Sequence, residues 1–169
     1  IADPDPVAAG GAARLRAAGV EVEIGVLERE AAAQNAIFLH NLREPARPFV
    51  ALKLATTIDG RIADANGNSR WISGAEARAF VHWLRAGFDA IGVGGVTARA
   101  DDPALTVRGA LQPRTRPLRV VFAADGDIPL ALAVVRTASV TPTVAIVGAA
   151  ARPSISAPAE AAGVEVIRS

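Results

Sequence analysis

Apolar positions recur along this chain with two periods. Helical spacing predicts helices over Val7–Ala18, Leu27–Leu42 and Gly74–Gly87, with a short one near Val96–Ala100. Short β-branched or alternating runs predict strands over Val20–Ile24, Phe49–Thr56, Ala90–Val93, Leu118–Phe122, Thr143–Val147 and Val164–Ile167. Strands interleaved with helices indicate an α/β sheet, mostly parallel. The hexapeptide AAGVEV occurs at Ala17–Val22 and Ala161–Val166. Each copy follows an Ala-rich stretch, stops it with Gly and leads into a strand, so it reads as an α–β connection used twice. Two prolines in Arg43–Val50 mark the best boundary, which divides the chain into 1–45 and 46–169. The first part, helix–strand–helix, is too short to hold a complete sheet.

Composition narrows the function classes. Hydrophobic residues make up 51% of the 169, enough for a core, and the net charge of +1 comes with no basic block. Nucleic-acid binding is therefore not expected. The most apolar stretch, Leu130–Ala151, is interrupted by Arg136, Thr141 and Pro142, so no membrane span is expected. Without Cys, disulfides and thiolate metal sites are excluded, and a cytoplasmic home is the expectation. The absence of Met, even at the first position, reads as a processed or partial chain.

Among 18 Lys and Arg residues only Lys53 is a lysine. In FVALKLATT it would share a strand face with Ala51 and Ala55, leaving room for a flat ligand. A compact ammonium can donate a proton near neutrality when partly buried, which a guanidinium cannot. The competing reading is a solvated residue on an exposed strand face. Asp59-Gly60 signals a turn. Asn66, Asn68 and Ser69 supply small polar groups, and Trp71 a flat wall. Ser73 with Glu76 has the spacing of a capping box, which makes Ser73 structural. Arg78 and Arg85, seven residues apart, share a helix face, while Phe80, Val81, Leu84 and Phe88 lean toward the core. His40 and His82 read as surface or internally satisfied histidines, since neither has a second ligand at metal spacing, and no metal site is expected. GVGGVTARADDPALTVR is not a G-x-G-x-x-G fingerprint because Thr97 holds the sixth place. Its glycines still allow a backbone to approach a phosphate, and Asp101-Asp102-Pro103 could equally be a helix stop.

Together LKLATTIDGRIA, SRWIS and LRAGFDAIGVGGVTARADDPALTVR resemble the reductase domain of the bifunctional riboflavin-biosynthesis deaminase/reductase family. Upstream, DPDPVAAGGAARLRAAGVEVEIGVLEREAAAQNAIFLHNL is similar to the last third of that family's deaminase domain, a cytidine-deaminase-like α/β domain. The resemblance implies that 1–45 is a deaminase remnant. It also implies that 46–169 is the N-terminal part of a dihydrofolate-reductase-like α/β domain. The implied reaction is NADPH-dependent reduction of the ribose of 5-amino-6-(5-phosphoribosylamino)uracil to a ribityl chain. Carried over by position, it implies cofactor contacts at Ala55, Trp71, Thr97 and Asp101. Substrate contacts fall at Ser69, Arg85, Leu105 and Arg108, and Lys53 is the catalytic residue beside the sugar. A phosphoribosylamino-pyrimidine substrate and a homo-oligomer are the implied partners.

Departures from the family pattern shape the expectation. The deaminase zinc signature needs cysteines that are absent, so zinc belongs only to a missing deaminase part. The family's C-terminal glutamate and paired-glycine loop also lies outside the chain. After LRVVF the family shows Asp-Ser and a basic residue, where this chain has Ala123, Ala124 and Asp127. The alternatives are an inert truncated homologue acting as a binding scaffold, and a reductase of a related pyrimidine or pteridine in the same fold.

Overall fold

A computed structural model describes residues 4–5, 9–109 and 113–169. The chain divides into two compact units, Ile1–Leu54 and Ala55–Ser169.

The first unit holds three short helices: α1 (Gly11–Ala17), α2 (Glu28–Gln34) and α3 (Ala36–Arg43). The single helix expected over Leu27–Leu42 is broken at Asn35, whose backbone leaves helical geometry at φ −104°, ψ 21°. The Asn35 amide side chain instead donates to the Ala31 carbonyl at 2.8 Å, the local competition that makes Asn a poor helix-interior residue. Val7 and Ala8 of the first expected helix lie outside the described residues. The strands expected at Val20–Ile24 and Phe49–Thr56 do not form. In the second of these Val50 and Leu52 are 80% and 83% exposed, so its alternation buries neither face. Alternation says which face would pack. A strand is stabilised only when a partner supplies the ladder and the cover.

The second unit is built on a four-stranded sheet in the order β1 (Ala90–Gly94), β2 (Leu118–Phe122), β3 (Thr143–Val147), β4 (Glu165–Arg168), with every neighbouring pair parallel. Three of these strands coincide with the sequence expectation to within a residue, and β4 is shifted by one. The two central strands read as near-continuous apolar runs because helices cover a parallel sheet on both faces. Val121, Ala145 and Val147 are fully buried with Val134, Ala159 and Val164 in one core. Helix α4 (Ala75–Arg85) precedes β1, and α5 (Gly95–Asp101) follows it and packs on β1 and β2. Two further helices connect the later strands, α6 (Ala133–Arg136) and α7 (Pro153–Ala161). Among the described residues no helix is long and apolar enough to cross a membrane.

Both AAGVEV copies close a helix in the same way. Gly19 at φ +82° and Gly163 at φ +96° take the left-handed conformation. Val20 N–H donates back to Leu15 O at 3.0 Å, and Val164 N–H to Ala159 O at 3.1 Å, the six-to-one bond of a glycine C-cap. Only the second copy then enters the sheet, because only Glu165–Arg168 has a strand beside it. The α–β connection expected of both copies is therefore realised once.

Arg119 lies on β2 and is 1% exposed. Its guanidinium donates to Thr137 Oγ1 (2.7 Å), Val134 O (3.0 Å) and Thr141 O (2.6 Å), with a longer bond to Ala104 O (3.5 Å). Burial holds its pKa below the ordinary arginine value. The side chain thereby binds α6, the turn after it and the segment leading to residues 105–108 to one core position.

Candidate active site

Around Trp71 the chain makes two compact turns. Thr57 N–H donates to Arg61 O at 2.9 Å across Asp59-Gly60, so the expected turn is present. Asp64 Oδ1 accepts the backbone N–H of Asn66 (2.9 Å) and Asn68 (2.7 Å), and its Oδ2 accepts the Asn68 amide (3.0 Å). These bonds, the Asn68 side chain first, hold the Asp64 carboxyl below its usual value. The Asn68 side chain is thus spent on the loop itself. Ser69 beyond it is exposed.

Trp71 is 71% exposed. The Arg78 guanidinium sits 4.4 Å from its ring centroid, a cation–π contact that fixes one face of the indole. Arg78 is itself held by donation to Ser73 O at 2.5 Å. The capping box expected at Ser73 does not form. The helix starts one residue later with Gly74 as N-cap, and no side chain caps it. Phe80, expected in the core, is exposed and stacks on Trp83 with centroids 5.3 Å apart.

Arg70 ties this segment to α5. Its Nη2 donates to Asp101 O at 3.1 Å and lies 3.7 Å from the Asp101 carboxylate. Thr97 and Asp101 stand four residues apart on α5, hence on one face, and both are exposed. Helix α5 starts where β1 meets the end of β2. A Cβ on Gly95 would lie 3.2 Å from the Ala123 Cα, so only glycine fits there without displacing backbone. Asp102 stops α5 in a left-handed C-cap at φ 41°. Its carboxylate accepts the Ala133 N–H at 2.5 Å at the start of α6. The helix-stop reading of this acidic pair therefore holds for Asp102, while Asp101 remains open to solvent.

The chain from Asp102 to Gly109 then passes the end of α4. Arg85 Nη1 donates to Thr106 O at 3.3 Å. The Arg108 backbone N–H donates to His82 Nδ1 at 3.2 Å. Burial, and then the charge of Arg108, lower the Arg85 pKa. Among the described residues neither Arg85 nor Arg108 has a carboxylate partner. Leu105 is 2% exposed at φ +50°, so it can offer a ligand only its backbone. Beside Leu105–Val107 lies a cavity of about 180 Å³, also lined by Pro113, Arg116, Pro117 and Thr141.

The structure therefore gathers Arg85, Leu105 and Arg108 around one loop, and links Trp71 to Asp101 through Arg70. Ala55 is half-buried, and Lys53 is exposed in the extended segment of the first unit. His40 is satisfied as expected, 3.0 Å from Arg47 O and edge-on to Phe49. Sequence reasoning missed Arg70, His82 and Arg119. The signal for Arg119 was a lone cation inside an otherwise apolar strand, and for His82 its i+3 spacing to Arg85.

The second unit is thus a parallel α/β domain in which two arginines share one loop and, among the described residues, neither has a carboxylate partner, which suits an anionic ligand. Residues 48–157 match the RibD C-terminal domain family, and the chain belongs to that family. It is 51% identical over 133 residues to the riboflavin biosynthesis protein RibD of Mycobacterium tuberculosis, covering 76% of this chain and 38% of that protein. It is 41% identical over 131 residues to RibD of Synechocystis, covering 77% and 35%. Among solved structures, the Acinetobacter baumannii RibD shares 33% identity at TM-score 0.68, over 99% of this chain and 46% of that one. A diaminohydroxyphosphoribosylaminopyrimidine deaminase/5-amino-6-(5-phosphoribosylamino)uracil reductase from Thermotoga maritima shares 30% identity at TM-score 0.66, over 99% and 51%. The chain spans between about a third and a half of the length of these relatives. The α/β reductase-type fold expected from the sequence is the one these neighbours share.

Proposed function

We propose that this chain carries the reducing half of a RibD-type enzyme. It would reduce the ribose of 5-amino-6-(5-phosphoribosylamino)uracil to the ribityl chain at the expense of NADPH. The observation that carries this reading is the Arg85–Arg108 pair: Arg85 is bonded to the loop that bears Arg108, the charge of Arg108 adds a cost to that of Arg85, and among the described residues neither has a carboxylate partner. Such a cost is retained where a ligand phosphate offsets it, and forked guanidiniums match phosphate geometry.

The roles follow from chemistry. Arg85 and Arg108 hold the substrate phosphate, with the Leu105 backbone and Ser69 as further substrate contacts. Opening a glycosylamine to an imine requires proton transfer at the sugar, the part assigned to Lys53. When bound, NADPH supplies the hydride, and the protein's contribution is alignment. The residues suit its flat end: Trp71 is largely exposed and held by Arg78, and nothing lies within 4 Å of a Cβ on Gly94. Ala55, Thr97 and Asp101 complete that set. The adenosine phosphate end fits less well. Arg99 is the cation beside the loop after β2, and Asp125 (3.2 Å) and Asp127 (3.6 Å) both hold it. Discrimination between NADPH and NADH is therefore weaker than a free basic residue would give.

The intact protein would be a homo-oligomer acting in the cytoplasm, with any zinc chemistry confined to a deaminase part. The test is NADPH oxidation on addition of the phosphoribosylamino-uracil. Oxidation with formation of the ribityl product supports the reading. A protein that binds both without oxidising NADPH would favour the inert-scaffold alternative.

A further inference from the structure

The Arg85–Arg108 pair comes from two elements that must be held in register. Arg85 ends α4, whereas Arg108 sits on a loop with no regular structure. Two bonds join them: Arg85 Nη1 to Thr106 O, and the Arg108 N–H to His82 Nδ1. The second has a chemical requirement. Nδ1 accepts only when it carries no proton, so the neutral ring must have its proton on Nε2. His82 is well suited to stay neutral. Partial burial lowers its pKa most, followed by the charges of Arg85 on its own helix and Arg108 on the facing loop, while a backbone bond with Thr106 acts the other way.

We propose that His82 is a positioning residue of the anion site, its unprotonated Nδ1 holding the backbone of Arg108 so that the Arg108 guanidinium stays beside Arg85. This rests on the reading of Arg85 and Arg108 as the phosphate site, and it assigns His82 no contact with the phosphate itself. Protonation of the ring removes the acceptor and places a third positive charge against the two arginines. The loop bond is therefore lost as pH falls through the ring's lowered pKa.

The test uses the full chain and ribose 5-phosphate as probe. Because the chain has two histidines, the His82 ring is assigned in an NMR titration by its loss in His82→Asn. In the free protein, the Arg108 amide resonance should titrate together with that ring. Asn places an oxygen acceptor where Nδ1 was, whereas Leu does not. His82→Leu should bind ribose 5-phosphate about five-fold more weakly, the effect of one neutral hydrogen bond, and His82→Asn should stay within about two-fold of wild type. An Arg108 amide that ignores the ring's protonation overturns the proposal without any ligand, whether or not the Leu variant folds. Equal loss in the Asn and Leu variants also overturns it, since the ring would then be acting through direct contact or packing. If the amide follows the ring but wild type binds no ribose 5-phosphate, the phosphate reading of the site falls, and the role given to His82 falls with it.

Discussion

Arg70 and Asp101 are 31 residues apart in sequence, yet the Arg70 guanidinium donates to the Asp101 carbonyl at 3.1 Å. This bond joins the segment bearing Trp71 to the end of the helix bearing Thr97. Both side chains are substantially exposed, so the ion pair adds at most about 1 kcal/mol to stability. Its larger effect is to order the Trp71 segment before a ligand arrives. Arg70→Ala should lower Tm by no more than about 2–4 °C. It should weaken NADPH binding roughly three- to ten-fold, the cost of ordering a side chain or two on binding. Unchanged cofactor affinity by fluorescence titration would remove the tie from the site.

Arg119 carries a stability prediction. A buried cation without a carboxylate is often replaceable by an apolar residue of similar size at little cost. Here the replacement removes a donor from both Val134 O and Thr141 O, and the Thr143 hydroxyl, the other donor within reach of both, has one proton and can satisfy only one of them. The buried acceptor left unsatisfied costs about 1–3 kcal/mol. Arg119→Met should therefore destabilise by about 1–3 kcal/mol, roughly 2–12 °C in Tm. A melting temperature equal to or above wild type would contradict this.

At the loop after β2, Asp127→Lys should raise the preference for NADPH over NADH by about ten-fold, the effect of one charge-assisted contact to phosphate. The substitution removes an anion that holds Arg99 and adds a cation. Dissociation constants for the two cofactors, measured on both proteins, decide it, and an unchanged ratio would place the extra phosphate elsewhere.

Much of the sheet was legible in the sequence because buried parallel strands announce themselves as apolar runs. Leu118–Phe122 and Thr143–Val147 are bounded by turn residues and need no information from elsewhere. Val20–Ile24 and Phe49–Thr56 carry an equally good local pattern, but pairing is a non-local property and among the described residues no strand lies beside them. Helix α6, with four residues, is too short to show a period. The start of α4 shifted by one residue because a Ser–Glu spacing permits a capping box without requiring one. At the site, arginines and their loop were readable as residue types. That Arg108 is held through its backbone by a histidine was not, since backbone bonds leave no mark on composition.

Lys53→Arg should keep the fold and NADPH binding and lose most turnover. A guanidinium is bulkier than an ammonium and presents its donors in a planar fork, and a displacement of reacting groups by about 1 Å costs on the order of a hundred-fold in rate. Thermal melting establishes folding, and single-turnover NADPH oxidation reads the chemistry. Near-wild-type rates would leave Lys53 as a solvated residue with no chemical role.

The central claim is that Arg85 and Arg108 select a phosphorylated substrate for reduction. Its most direct test is single-turnover NADPH oxidation by wild type, Arg85→Ala and Arg108→Ala, each with the phosphoribosylamino-uracil and with its dephosphorylated form. The account predicts that wild type favours the phosphorylated form by about ten- to hundred-fold in apparent affinity, and that either alanine variant loses most of that preference. Equal affinity of wild type for the two forms, or a preference untouched by both substitutions, would contradict it.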